Sequence, residues 1–164
     1  MVIDVDDYKQ KCSSKKVKPK VWIANLKLTE QDKKTLLDPV GWLNDSIINA
    51  AQRLLKKQFP AVGSLQDVAL GLVMNFSIQP SNCDFVQILH SNSHWVTVSS
   101  TTKQHPSSIQ VYDSLYKSIS TIVKEQIASL LSTPNNEIRV NVMDVQTQVL
   151  AISGYFHMSY YASS

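Results

Sequence analysis

The sequence has no long apolar run and very little cysteine. No stretch approaches the ~18 apolar residues of a membrane-spanning helix, and the start, Met1-Val-Ile-Asp-Val-Asp-Asp, is acidic where a secretory signal is basic. Its two cysteines, Cys12 and Cys83, have neither metal-ligand spacing nor the pattern of a disulfide framework. We therefore expect a soluble intracellular protein of the nucleus or cytoplasm, with no metal, no cofactor and no membrane contact.

Length and charge predict one domain preceded by a basic arm. The chain has 164 residues, 43% hydrophobic and 18% charged, which suits a single domain with its own core. The net charge of +3 arises largely from lysines within residues 1–20, a segment with too few apolar residues to offset its ordering entropy. We expect residues 1–20 to form a flexible arm and residues 21–164 the domain, with no nucleic-acid partner.

Apolar periodicity predicts three helical segments. Thr29-Glu-Gln-Asp32 matches a helix-capping pattern that begins a short helix before Pro39. A longer helix starts with Asn44 or Asp45 as its cap and runs to about Phe59, and Ser120–Leu131 forms another before Pro134. The apolar residues of the longer helix fall on one stripe: Ile47, Ile48, Ala51, Leu54 and Leu55.

Strand-forming runs fill much of the remainder. Residues 85–89, 95–98 and 109–112 are rich in β-branched and aromatic residues and are separated by polar turns, and 138–142 alternates as a further strand. Residues 65–76 fit either a helix or irregular packing. Helices first, then strands with one inserted helix, predict an α+β domain with a central sheet.

Several polar and aromatic residues have both a structural and a catalytic interpretation. His94 is either a satisfied imidazole or a base, and Asp113, at the end of the next strand, either begins a turn or orients that imidazole. Gln148 is either an exposed loop residue or a donor to an oxyanion. Trp42 and Trp95 are most simply core aromatics. Taken singly, none of the five decides between its two interpretations.

Together these residues resemble the Ulp/SENP family of ubiquitin-like-protein proteases. The family pattern is W-L-N-D, H-W, D-S and Q-x5-C-G, and the chain has Trp42-Leu-Asn-Asp45, His94-Trp95, Asp113-Ser114 and Gln148 in that order. The resemblance implies a papain-like fold with a mixed central sheet flanked by helices. It makes His94 and Asp113 members of a Cys–His–Asp triad and Gln148 the oxyanion donor. It also makes Trp42 and Trp95 a clamp around the Gly-Gly tail of a ubiquitin-like modifier, where any side chain would clash.

The chain departs from the family at the nucleophile. Six residues after Gln148 stands Gly154; aligning Ser153-Gly-Tyr-Phe156 with the family's C-G-x-F instead needs a one-residue deletion and keeps the glycine and the phenylalanine. This second alignment places Ser153 at the cysteine position. Ile152 then replaces the usual acid, and an apolar segment replaces the flexible loop before it. We expect a domain that is truncated at its C-terminus relative to the family.

The expected function follows from this substitution. The family reaction is peptide or isopeptide hydrolysis after Gly-Gly, and it depends on a thiolate that an imidazolium can stabilise, whereas an alcohol is not ionised in that way. We expect a monomeric cysteine-peptidase-like (deSUMOylase- or deneddylase-like) domain whose hydrolysis is impaired. The alternatives are a pseudoprotease that binds a modifier without cutting it, and a decayed fragment, for instance of a mobile element.

Overall fold

The structure is a computed structural model that describes most of the region expected to form the domain. The described residues are 18–79, 83–92, 94–100, 108–131 and 137–146. Gln148 and Ser153 lie outside them, as do residues 1–17 of the predicted arm. No helix in the described ranges is long and apolar enough to cross a membrane.

The N-terminal part begins with a small antiparallel sheet and a capped helix. Strand β1 (Val21–Ile23) pairs with β2 (Leu28–Thr29), and a 3₁₀ turn (Ala24–Leu26) joins them. Helix α1 (Glu30–Leu37) follows at once. Thr29 and Asp32 form the predicted capping box, in which the Thr29 hydroxyl accepts from the Asp32 amide. The predicted helix before Pro39 is therefore confirmed.

Helix α2 (Asp45–Gln58) is confirmed, but the buried side of the helix is not the predicted apolar stripe. Asn44 caps it by accepting from the Ile47 amide at 3.0 Å. Its buried residues are Ile47, Ile48, Ala50 and Gln52, whereas Ala51, Leu54 and Leu55 are exposed.

The reason is a buried amide pair between α2 and the sheet. The Gln52 side-chain oxygen accepts from the Gln87 side chain at 3.1 Å and from the Ile88 amide at 3.2 Å. The Gln52 side-chain nitrogen donates to the Gln66 carbonyl at 2.7 Å, so both polar atoms of this buried amide have partners. This contact turns Gln52 inward, so Leu54 and Leu55 lie toward solvent.

A five-stranded mixed sheet forms the centre of the domain, in the order β3-β4-β5-β6-β7. Its strands are β3 (Gly63–Ser64), β4 (Phe85–Ser91), β5 (His94–Ser100), β6 (Ser108–Tyr112) and β7 (Arg139–Val142). The inner pairs β4–β5 and β5–β6 are antiparallel, and the edge strands β3 and β7 run parallel to their neighbours. The predicted strands and the α+β class are confirmed.

The main core lies between one face of this sheet and helix α4 (Thr121–Leu130), which the Ser120 hydroxyl caps. Buried and half-buried residues alternate strictly along β4 and β5, as expected of a sheet covered on one face. Core residues from both layers include Leu89, Val96, Val111, Ile127 and Leu130. Within residues 65–76, the only regular element is the single-turn helix α3 (Ala69–Leu72), so most of that segment is irregular.

The turn between β4 and β5 decides where the two strands place their side chains. Ser91 pairs with His94, two residues separate them in the sequence, and Asn92 has a left-handed backbone with φ of 44°. Two-residue hairpins require such conformations, which asparagine tolerates better than most residues. Because this short turn fixes the register, His94 lies on the buried face at the start of β5 and Trp95 on the opposite face.

Candidate active site

His94 and Asp113 meet as a buried pair at one end of the sheet. His94 begins β5, and Asp113 directly follows the neighbouring strand β6. The His94 Nε2 atom lies 3.0 Å from Asp113 Oδ2, within the ~4 Å expected of a catalytic His–Asp pair. His94 is 4% exposed and Asp113 8% exposed. The sequence predicted this contact from strand adjacency, and the distance agrees.

The second carboxylate oxygen of Asp113 is held by the turn that follows. Asp113 Oδ1 accepts from the backbone amides of Leu115 at 2.8 Å and Tyr116 at 2.9 Å. Burial raises the pKa of Asp113, but these two amides and the bond to His94 outweigh it, so the pKa lies below its ordinary value. Asp113 is therefore an anion near neutral pH and accepts a hydrogen bond from His94.

The other ring nitrogen of His94, Nδ1, differs from Nε2 in its surroundings. When Nε2 carries the proton donated to Asp113, a neutral imidazole has its lone pair on Nδ1. Nδ1 is buried and has no hydrogen-bond partner among the residues that the structure describes. The Tyr116 ring contacts the imidazole edge to face, with 5.1 Å between ring centroids. Sequence analysis missed Tyr116, for which only its place three residues after Asp113 gave a signal.

The lowered pKa of Asp113 predicts a contribution to acid sensitivity. Its stabilising effect is complete above the unfolded pKa of ~3.9 and is lost as pH falls through the lower folded value. Between pH 5 and pH 2.5, the free energy of unfolding should fall less in Asp113→Asn than in the unmodified protein, as measured by urea unfolding. Glu125→Gln, at an exposed position of α4, is the control and should keep the original pH dependence. If the free energy of unfolding falls equally with pH in all three proteins, the prediction is wrong.

Trp95 lies against the segment that contains Trp42. The Trp95 indole Nε1 donates to the Leu43 carbonyl at 2.9 Å, which brings the H-W and W-L-N-D motifs together. Trp42, one residue earlier, is 54% exposed, so it is not a core residue. His90 pairs with Trp95 across the hairpin, and their ring centroids are 4.8 Å apart. The short hairpin could have predicted this His90 contact, which sequence analysis missed.

Of the remaining candidate residues, the structure describes only Cys83. Gln148 and Ser153 lie outside the described residues. Cys83 is exposed and precedes β4, whose seven residues separate it by about 20 Å from the turn that leads to His94. Cys83 therefore cannot serve as the nucleophile for His94. In the described part of the chain, no group of three or more His, Cys, Asp or Glu side chains could hold a metal ion.

Comparison with known proteins identifies the fold. No protein-family model matches the sequence. No curated protein matches it either. Among solved structures, a SUMO protease Ulp1 with its catalytic cysteine oxidised to a sulfinic acid is similar at a TM-score of 0.56 and 18% identity, over 90% of this chain and 77% of that one.

Two further structures agree. The Ulp1 protease domain in complex with SMT3, the yeast orthologue of SUMO, has a TM-score of 0.54 and 17% identity over 87% of this chain and 73% of its own. A de-sumoylating protease has a TM-score of 0.54 and 17% identity over 74% of this chain and 60% of its own. The predicted papain-like cysteine protease fold is confirmed.

Proposed function

We propose that this chain, which has the fold of Ulp1 SUMO proteases, is a ubiquitin-like-protease-type domain whose reaction is peptide or isopeptide hydrolysis after the C-terminal Gly-Gly of a ubiquitin-like modifier. In this proposal its hydrolysis of the bond after Gly-Gly is impaired, because Ser153 stands at the position of the nucleophilic cysteine. The observation that supports this proposal is the buried His94–Asp113 pair, with 3.0 Å between Nε2 and Oδ2.

The chemistry of that pair suits acyl transfer. Asp113 holds the Nε2 proton of His94, which leaves Nδ1 as the base that would take a proton from a nucleophile. Gln148 would donate its side-chain amide to the oxyanion of the tetrahedral intermediate. A cysteine at position 153 would lose its proton to His94 before it attacks the substrate. A serine must lose it during attack, in a site adapted to a thiolate, and is therefore slow.

Recognition of the modifier needs none of these groups. Trp42 is exposed, and Trp95 is fixed to the adjacent Leu43 carbonyl, so aromatic surface is available to an extended tail at this place. This observation favours the second candidate function, a pseudoprotease that binds a modifier without cutting it. We further propose that the protein acts as a monomer in the nucleus or cytoplasm.

A binding titration with paired ligands tests the proposed recognition. A panel of ubiquitin-like modifiers, each with its C-terminal Gly-Gly present or deleted, is titrated into the protein by calorimetry. At least one modifier should bind at micromolar concentration, and deletion of Gly-Gly should weaken that binding roughly tenfold or more, since each tenfold is about 1.4 kcal/mol. If no modifier binds at high micromolar concentration, the decayed-fragment alternative takes the place of both functions.

A further inference from the structure

The carboxylate of Asp32 connects the starts of helices α1 and α2. Asp32 Oδ2 accepts from the Thr29 amide and from the Thr29 hydroxyl, both at 2.7 Å. Asp32 Oδ1 accepts from the Asn44 side-chain nitrogen at 2.8 Å, twelve residues along the chain. One oxygen therefore completes the cap of α1, while the other holds the residue that caps α2.

The hydrogen bond from Asn44 to Asp32 also restrains the backbone of Leu43, which contacts Trp95. Its side-chain oxygen accepts from the Ile47 amide, so both ends of the amide group are fixed. The peptide bond that joins Leu43 to Asn44 carries the carbonyl to which the Trp95 indole donates. That carbonyl is therefore held between Asn44 on one side and Trp95 on the other.

Capping alone does not account for the burial of Asp32. The residue is 5% exposed, and aspartate is rarely buried to this degree without a partner. Its partners are the neutral donors of Thr29 and Asn44. The Thr29 backbone amide contributes most to keeping the pKa of Asp32 below its usual value, against the opposing effect of burial. A cap exposed to water would stabilise α1 without this desolvation.

We infer that Asp32 is a positioning residue for Trp95, one of the two tryptophans of the proposed clamp: through Asn44 it fixes the Leu43 carbonyl, and thereby the orientation of the Trp95 indole. The inference rests on the proposed function only in what the two tryptophans bind. The hydrogen-bond connection from Asp32 to Trp95 concerns the protein without any ligand.

Exchanging the two side chains gives a sharp test. In Asp32→Asn, the new amide nitrogen faces the Asn44 amide nitrogen, donor against donor. In Asn44→Asp, two carboxylates face each other. The double variant Asp32→Asn/Asn44→Asp restores one donor and one acceptor in the opposite direction, and the aspartate at position 44 can still cap the Ile47 amide.

The readout is the exchange of the Trp95 indole N–H with water, followed by NMR in the absence of ligand. Trp95→Phe identifies its signal, and the Trp22 indole is the internal reference. In each single variant the Trp95 indole N–H should exchange with water at least ~10-fold faster than in the unmodified protein. In the double variant its exchange rate should return to within ~3-fold of the unmodified value. Unchanged exchange in folded single variants, or a double variant no better than the singles, would overturn the inference.

Two more variants separate positioning from stability. Thr29→Val removes the hydroxyl that caps α1 and leaves the Asn44 bond, so it should lower stability without accelerating Trp95 exchange. Asn44→Ser retains a hydroxyl cap for α2 but removes the bond to Asp32, so it should accelerate exchange even if the Asp32 variant does not fold. If Thr29→Val accelerates Trp95 exchange and Asn44→Ser does not, the role of Asp32 is purely structural.

A binding measurement then connects the inference to function. The single variants should weaken binding of a Gly-Gly-ended modifier by roughly tenfold, and the double variant should recover it. If no modifier binds the unmodified protein, the proposed function fails while the exchange measurements still decide the role of Asp32. If binding occurs but does not follow the exchange rates, the positioning role fails alone.

Discussion

The unmodified protein is expected to leave ubiquitin-like substrates uncut. Its turnover should lie at least a thousandfold below ~1 per second, which is the low end for ordinary enzymes. Without an active nucleophile, oxyanion stabilisation and substrate binding together give only a small rate enhancement. The measurement is hydrolysis of modifier precursors and of isopeptide conjugates. An electrophilic probe that ends in Gly-Gly should likewise leave the protein unlabelled.

A matched set of variants identifies the missing thiol as the cause. Ser153→Cys should become labelled by the same probe, because His94 can draw a proton from a thiol in the resting state. Adding His94→Ala to Ser153→Cys should abolish that labelling, whereas Cys83→Ser should not affect it. Turnover near 1 per second by the unmodified chain would refute the impairment. Failure of Ser153→Cys to label in a protein that binds modifier would refute the alignment of Ser153 with the nucleophile.

Trp95→Ala should weaken modifier binding by about 2 kcal/mol or more, which is roughly 30-fold in affinity. The substitution removes the ring that contacts His90 and donates to the Leu43 carbonyl, and with it one of the two aromatic walls of the proposed clamp. Calorimetry with the modifier selected above measures the change.

Two controls accompany this measurement. Ser153→Ala should change the affinity little, because aromatic walls and backbone hydrogen bonds form the proposed contact. Trp95→Phe keeps a ring but loses the indole donor, so its affinity should fall between the other two. If Trp95→Ala binds as tightly as the unmodified protein while remaining folded, the tail lies elsewhere on the domain.

Local patterns were sufficient to predict the elements that frame the site. The capping residues Thr29, Asn44 and Ser120 lie within three or four residues of the groups that they satisfy, so each helix start could be read from adjacent sequence. Runs rich in β-branched and aromatic residues predicted the strands β4 and β5, and the structure showed which face of each strand is buried. The His94–Asp113 contact was also predictable, since antiparallel neighbours bring the start of one strand near the end of the next.

Periodicity did not determine which side of α2 is buried. Leu54 and Leu55 fit the apolar stripe as well as Ile47 and Ile48 do, yet they face solvent. Gln52 is buried instead, and its side-chain oxygen accepts a hydrogen bond from Gln87, 35 residues later. No local sequence pattern predicts a hydrogen-bond partner so far along the chain.

The sequence by itself determined the helix starts, the strand-forming runs, the α+β class and the pairing of His94 with Asp113, because each depends on neighbours in the chain or on adjacent strands. Only the tertiary structure decided the rotation of α2, the contact of Trp95 with the Leu43 carbonyl and the bond from Asp32 to Asn44. These contacts join separate elements, and their geometry depends on how helices and sheet pack together. Because packing depends on the whole chain, it cannot be predicted from the patterns of short segments.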